Sequence, residues 1–499
     1  MAWGIVACIW EHAGNWAGRH GLKIASPRKW RNRSTLMSVA EYIRPQPPKG
    51  NYRGSQKASR PAPDPLLTQT GPETPCGKYL RMFWWPIGMT SEVPNDLPHK
   101  TKLLGEDLVL FKTRQGEYGC LHLNCSHRNT SLEFGHVTEC GIRCCYHGWE
   151  YAVDGTILDT PGEPAGSKIK EKVFHGAYPV VEFKGLLFVY MGPQEWMPEF
   201  PVYDTFNLAD DELVPYSISY PANWLQIAEN TTDPYHTVFL HANHSIDHFE
   251  ESWGEMPVID WHEHENGRHT CNLCTFRWKD KIWVRVYETF FPSFSQVGSF
   301  FETAEDEKYF QRAAITKWTV PVDDTSTKIS AWRHFGKAID SDNLGRRELV
   351  GKDTVDFLGQ TADRPYEDRQ RIPSDYEAQV GQGLVAVHGT ENLGHTDRGV
   401  AILRKNLRAG IERVQNGEPP VRPPQNGQEV PSYCSDSVLP IPEIPGVDDE
   451  ELRRQVAHAV VDVLRSADDM PRDERVTFVR SELEKLKDRP EFTQAKLAS

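Results

Sequence analysis

Two short clamps, each pairing a thiol with an imidazole, stand close together in this chain: Cys125-Ser126-His127 and Cys144-Cys145-Tyr146-His147. In each, one Cys and one His project from a tight loop. A [2Fe–2S] cluster in which two histidines replace two cysteines on one iron requires that ligand set. Zinc is the competing reading, but zinc fingers keep like ligands together, with spacings C-x₂₋₄-C and H-x₃₋₅-H. Here both clamps are mixed, which points to the iron–sulfur cluster.

A second constellation follows about a hundred residues later, in the run Asn223 to His241. Trp224, Leu225 and Ala228 are helically spaced. Pro234 fits the first turn of a further helix with Asp233 as its N-cap. His236 and His241 then lie five residues apart. An ideal helix brings i and i+4 together, so this step predicts a bulge or a helix end between them. Two histidines and a carboxylate that leave coordination positions open are the ligand set of non-haem Fe(II) oxygen chemistry. By itself His-x₄-His more often marks a solvated helix face. Downstream of a one-electron cluster it is a place for the electrons to go.

These motifs resemble, in order and spacing, those of the oxygenase α-subunit of Rieske non-haem iron ring-hydroxylating oxygenases. The segments are Cys-x-His-Arg, Cys-x-Tyr-His-Gly-Trp and Glu-Asn-x-x-Asp-x-x-His-x₄-His, and the resemblance spans roughly 77–410. Ser126 and Cys145 stand where the family usually has Pro; neither is a ligand, although both adjoin the cluster. The resemblance implies that Cys125 and Cys144 hold one iron of a Rieske [2Fe–2S] cluster and His127 and His147 the other. It implies that His236 and His241 bind a mononuclear Fe(II), and that Asp233 bridges a neighbouring subunit's cluster to that iron. In the phthalate-dioxygenase-like branch an Asp eight residues before a Gly is followed by Leu-Gly-x-x-Asp and an Arg-rich helix. Asp375, Gly383, Leu393-Gly394-His395-Thr396-Asp397 and Leu403-Arg404-Lys405 fit that pattern, which makes Asp375 the third ligand. Asp363 and Asp368 are its competitors and read as surface acids.

The elements that must position these residues are legible in outline. Short alternating strands at 107–112 and 118–123 lead into the first clamp, and 141–145 leads into the second. A turn at Asp154-Gly155 and a buried strand at 185–191 complete a small β domain. Gly135 and Gly148, beside the clamps, could admit backbone amides to the sulfurs. From 282 to 332 four longer strands predict an antiparallel sheet backing the iron site. Phe290, Phe291, Phe294 and Trp332 are candidates for its pocket, though sheet core is the commoner place for strand aromatics. Cys271-x-x-Cys274 has no second pair and reads as packed cysteines. Gly381-Gln-Gly383-Leu-Val-Ala386 lacks the βαβ context of a dinucleotide fingerprint. The expected fold is α+β: a small all-β Rieske domain plus a catalytic domain of antiparallel sheet covered by helices. The expected divisions are a leader and extended arm (1–76), the Rieske domain (77–198), the catalytic iron domain (199–415), and a Pro-rich linker with C-terminal helices (416–499).

Composition narrows the partners. A formal charge of −14 excludes a basic nucleic-acid groove. No apolar run reaches the eighteen or so residues that span a bilayer. Ten Cys in 499 residues, four of them in the motif region, suit a reducing, cytoplasmic setting rather than a disulfide framework. Residues 1–36 are basic but fail the order of a secretory signal. A start at Met37 is the simpler reading, an organellar transit peptide the other. The sequons at Asn32, Asn230 and Asn243 are then chance matches. With no flavin or nicotinamide motif, electrons are expected from a separate reductase or ferredoxin. The resemblance further implies a homotrimer acting on O₂ and an aromatic acid or phenolic ether, by hydroxylation, dihydroxylation or O-demethylation. The alternative, a Rieske electron carrier without oxygenase activity, needs little more than the β domain.

Overall fold

The structure is a computed structural model that describes residues 62–209, 211–242, 255–264, 267–298, 304–337, 339–340, 343–424 and 426–493. The leader, the Met37 start and the Asn32 and Asn243 sequons lie outside these residues.

Three small antiparallel sheets form the β domain. Trp84–Met89, Leu186–Tyr190 and Val180–Phe183 make one, and His99–Leu103, Glu106–Lys112, Tyr118–His122 and Ala177–Tyr178 a second. The third comprises His136–Val137, Gly141–Arg143, Glu150–Ala152 and Ile157–Asp159. The first clamp follows the Tyr118–His122 strand, and the second is the turn between Gly141–Arg143 and Glu150–Ala152.

The larger part is built on a nine-stranded antiparallel sheet. Its main path runs Glu212–Tyr220, Ser326–Phe335, Ile315–Asp323, Phe294–Val297, Lys281–Phe290, His269–Trp278 and Val258–Glu263. Because side chains alternate along a strand, the sheet presents two different faces. Tyr216, Ile218, Ile315, Lys317 and Ile329 share one, with Ile218 opposite Ile329 and both Tyr216 and Lys317 opposite Ala331. Phe294, Trp318 and Trp332 take the other and pack with Phe188 of the β domain, among others, in one buried aromatic cluster.

Two expected divisions are corrected here. Residues 62–76 are not an extended arm: Pro65 and Pro75 each open a short helix, capped by Asp64 and Thr74, and Leu67 and Cys76 are fully buried. Proline is favoured at the first helical position, so what resembles linker composition is a pair of helix starts. Nor does the catalytic sheet end at 415. Ser435–Leu439 joins it beside Lys281–Phe290, with Asp436 bound by Arg285 (2.8 Å) and by the Trp283 indole (3.1 Å). The helices expected within 416–499 are Asp449–Arg465 and Arg472–Glu484. They cover the sheet through Leu452, Val456, Val460, Val479 and Leu483.

The Arg398–Gln415 helix holds the segment that carries Glu229 and Thr232 in place. Its Arg404 makes a two-pronged contact with Glu229 (2.6 and 2.9 Å) and also binds Glu391 (2.7 Å). At its start, a Cβ on Gly399 would sit 2.0 Å from the Thr232 carbonyl oxygen and 2.7 Å from Trp261 Nε1. Gly399→Ala is therefore expected to cost about 1–3 kcal/mol, the range of overpacking a tight contact. It should also lower iron occupancy, since Thr232 adjoins Asp233. Thermal denaturation and metal analysis check both, and unchanged values for both would sink the argument.

Candidate metal centres

At the first centre the Cys125 and Cys144 side chains are buried and turned toward each other. The Tyr151 hydroxyl lies 2.9 Å from Cys125 Sγ. His127 and His147 meet edge to face with ring centroids 4.5 Å apart, and His127 stacks flat on Trp149 at 4.7 Å. Burial pushes the Cys144 thiol up, while the backbone amides of Tyr146 and His147, directed at its sulfur, pull it down. The turn closes at Gly148 (φ +74°), whereas Gly135 instead packs against the Arg143 carbonyl. His127 Nδ1 is buried with no hydrogen-bond partner among the described residues. Two facing thiols, two adjacent imidazoles, sulfur-directed amides and an orphaned ring nitrogen fit a cluster with Cys₂His₂ ligation.

The second centre forms where two helices meet the sheet. In the Trp224–Glu229 helix every residue is buried. Asn223 caps it by accepting from the Leu225 amide (3.1 Å) while donating to the carbonyls of Thr68 and Asp324. Gln226 reaches across to the carbonyls of Gln379 and Gly383, both at 2.9 Å, and so registers this helix against Asp375–Val380. Asp375 opens the latter helix, whose Ser374–Glu377 capping box is clamped by Arg364 (3.1 Å) and Arg369 (2.7 Å).

Asp233 caps the next turn through the Tyr235 amide (3.2 Å), as expected of a residue before Pro234. The chain then runs into a π-helix, Thr237–Ala242. That wider turn answers the five-residue step, because i and i+5 replace i and i+4 as neighbours. His236 and His241 come together, ring centroids 5.3 Å apart, with Nε2 atoms 3.7 and 3.4 Å from Asp375 Oδ1. The donor atoms of all three residues lie within 4.8 Å of one another. Of the competitors, Asp363 accepts from Thr361 and Asp368 pairs with Arg371, both away from the histidines.

The surroundings orient these donors. His236 Nδ1–H is bonded to the Asp233 carbonyl, which leaves Nε2 as the ring nitrogen that could take a metal. Asn230 donates to Asp375 Oδ1 (3.1 Å) and Gln360 to Oδ2 (2.8 Å); the Tyr220 hydroxyl donates to Gln360 in turn (3.1 Å). Burial pushes the Asp375 carboxyl up, but His241, His236 and Gln360 outweigh it and hold the group well below the carboxylate range. A preformed anion with two imidazoles and an open side is a fit for a divalent iron. Gln360→Leu should weaken metal binding about 10–100-fold, the usual cost of losing such a supporting partner. Iron retention against a chelator measures it, and wild-type retention would contradict the role given to Gln360.

The triad opens on a cavity of about 820 Å³, counting its mouth, lined by Tyr216, Ile218, Tyr287, Val297, Ile315 and Phe357 among others. The aromatics named from sequence are not there. Phe290, Phe294 and Trp332 point to the opposite sheet face by the two-residue period, and Phe291 packs beside them. Tyr216, Lys317 and Gln360 were missed; for Lys317 the available signal was a lysine two residues from Ile315, on the same face of the strand. Two other donor clusters have ordinary explanations. Arg404 closes Glu229, His388 and Glu391. At His269, Cys271 and Glu288, Arg268 Nε donates to His269 Nδ1, so a neutral ring carries its proton on Nε2, facing Glu288 at 3.6 Å.

Comparison with known proteins agrees with this geometry. The Rieske [2Fe–2S] domain family matches residues 83–179, within the expected 77–198. The chain is 40% identical to the oxygenase subunit of tert-butanol monooxygenase / tert-amyl alcohol desaturase from Aquincola tertiaricarbonis, over 84% of this chain and 92% of that one. It is 36% identical to phenoxybenzoate dioxygenase subunit alpha from Ectopseudomonas oleovorans, over 72% and 87%. With the 5,5'-dehydrodivanillate O-demethylase oxygenase subunit of Sphingobium the identity is 30%, over 73% and 84%. Among solved structures, Pseudomonas putida CBB5 NdmA shares the fold (TM-score 0.51, 20% identity, 69% of this chain and 94% of that one). Dicamba monooxygenase does so too (TM-score 0.50, 15% identity, 68% and 99%). The chain belongs to the Rieske non-haem iron oxygenases, as an oxygenase α-subunit. It is a terminal oxygenase rather than an electron carrier, with a Rieske [2Fe–2S] cluster and a mononuclear iron as its cofactors.

Proposed function

We propose that Cys125, His127, Cys144 and His147 hold the cluster, that His236, His241 and Asp375 hold the mononuclear iron, and that the substrate is aromatic. When bound, the cluster supplies single electrons and the iron activates O₂ for insertion into the substrate. The residues do the rest. Asn230 and Gln360 keep Asp375 aimed at the two histidines, and the π-turn keeps both imidazoles on one side. Isoleucine, valine and tyrosine walls exclude water and orient a flat substrate over the open side. Asp233, against the backbone of His236, links this centre to the cluster of the next subunit in a homotrimer. A separate reductase or ferredoxin is the electron source and the cytoplasm the setting; among the described residues no helix is long and apolar enough to cross a membrane.

The observation that carries this reading is the convergence of three donors on one wall of an apolar cavity. Relatives named for phenoxybenzoate and dehydrodivanillate support an aromatic substrate, by hydroxylation or O-demethylation. The name of the 40% identical relative supports a second reading, oxidation of a small tertiary alcohol. Protein supplied with electrons and ¹⁸O₂ should convert a member of a panel of aromatic acids and phenolic ethers, with the product gaining labelled oxygen or losing a methyl group. Turnover of tert-butanol alone would favour the second reading and count against the first.

A further inference from the structure

Lys317 is the one lysine or arginine among the described residues that line the iron cavity. It stands two residues from Ile315 on the same strand and faces the same way, opposite Ala331, which is in turn opposite Tyr216. The small Ala331 leaves room beside the lysine stem. No hydrogen bond or ion pair engages its ammonium among the described residues. Asp375, the carboxylate that acts on it, is already held by Asn230, Gln360 and the histidines. Partial burial lowers the ammonium's affinity for its proton, and the Asp375 carboxylate draws it back. The side chain is only partly buried, and an ammonium set in this mostly apolar wall, with no hydrogen bond or ion pair of its own among the described residues, is placed to receive an anion that enters the cavity.

We infer that Lys317 anchors the carboxylate of an aromatic acid, so that the ring lies along the isoleucine and tyrosine wall and its reacting position meets the open side of the triad. This deepens, and rests on, the aromatic-substrate reading of the same cavity. It makes Lys317 a specificity determinant: acids should be chosen over their neutral esters through one charge-assisted contact.

The test is equilibrium binding to the iron-loaded protein, by calorimetry, of 3-phenoxybenzoate, phthalate and their methyl esters. Wild type should bind at least one acid about 10-fold or more tighter than its ester. Lys317→Met should weaken that acid about 10–100-fold, the worth of a hydrogen bond to a charged group, and change the ester by less than about 3-fold. Lys317→Arg should restore part of the loss, and the cluster's visible spectrum reports folding in each variant. No acid preference in wild type, no binding of any acid, or an equal loss of acid and ester in Lys317→Met would overturn the assignment. If acids bind through Lys317 but no oxygenated product forms, the anchor stands and the proposed function falls. If oxygenated products form while Lys317→Met leaves acid binding unchanged, the reverse holds.

Discussion

Replacing Asp375 by Ala is expected to abolish turnover, by about 1,000-fold or more, while leaving the visible spectrum of the cluster intact. Losing a supporting partner of a metal ligand costs about 10–100-fold, and losing the ligand itself must cost more. Asp375 contributes the site's only carboxylate among the described donors. Without it two imidazoles remain, and the amides of Asn230 and Gln360 lose their acceptor. Iron content should fall by about one per chain. Retention of a tenth of the activity, or unchanged iron, would refute the ligand assignment. Asp375→Glu, which keeps the charge but lengthens the arm, should fall between the two.

The second large effect belongs to Asp233. Asp233→Asn should leave both metal centres loaded and lower turnover about 100-fold or more, on the scale of removing one positioned polar group from a reacting site. Asparagine caps a helix as well as aspartate, so the Tyr235 contact and the backbone that holds His236 should survive. What is lost is the charge. Burial pushes the Asp233 carboxyl up and the adjacent His236 draws it back, so its ionisation is tied to the iron site. Reduction of the cluster should proceed normally in the variant while its reoxidation in the presence of substrate and O₂ slows. Normal turnover would remove Asp233 from the electron path.

How far the sequence alone reached follows from the range of each interaction. The two clamps, the Asp233–Pro234 cap and the five-residue step from His236 to His241 are local, and the structure realises each with the expected geometry. Asp375 lies far along the chain from the histidines, and only the resemblance could bring it to them; Gln226, which ties its helix to theirs, gives no sign of that role in the sequence. The cavity was misplaced because Phe290, Phe294 and Trp332, with Phe291 beside them, look like pocket residues until the sheet face they take is known. The Ser435–Leu439 strand was missed because its Asp436 reads as a surface acid, whereas Arg285 and Trp283 bury it. The extended arm erred in the opposite sense: its last part folds into two short helices that open on Pro65 and Pro75.

The most direct test of the central claim is the count of iron and acid-labile sulfide per chain in protein isolated anaerobically and supplied with Fe(II). A [2Fe–2S] cluster feeding a separate mononuclear iron requires about three irons and about two sulfides. About two of each, with no further iron taken up, would make the chain an electron carrier and leave His236, His241 and Asp375 without the role assigned to them. Zinc in place of iron, with no sulfide, would contradict the reading of both centres.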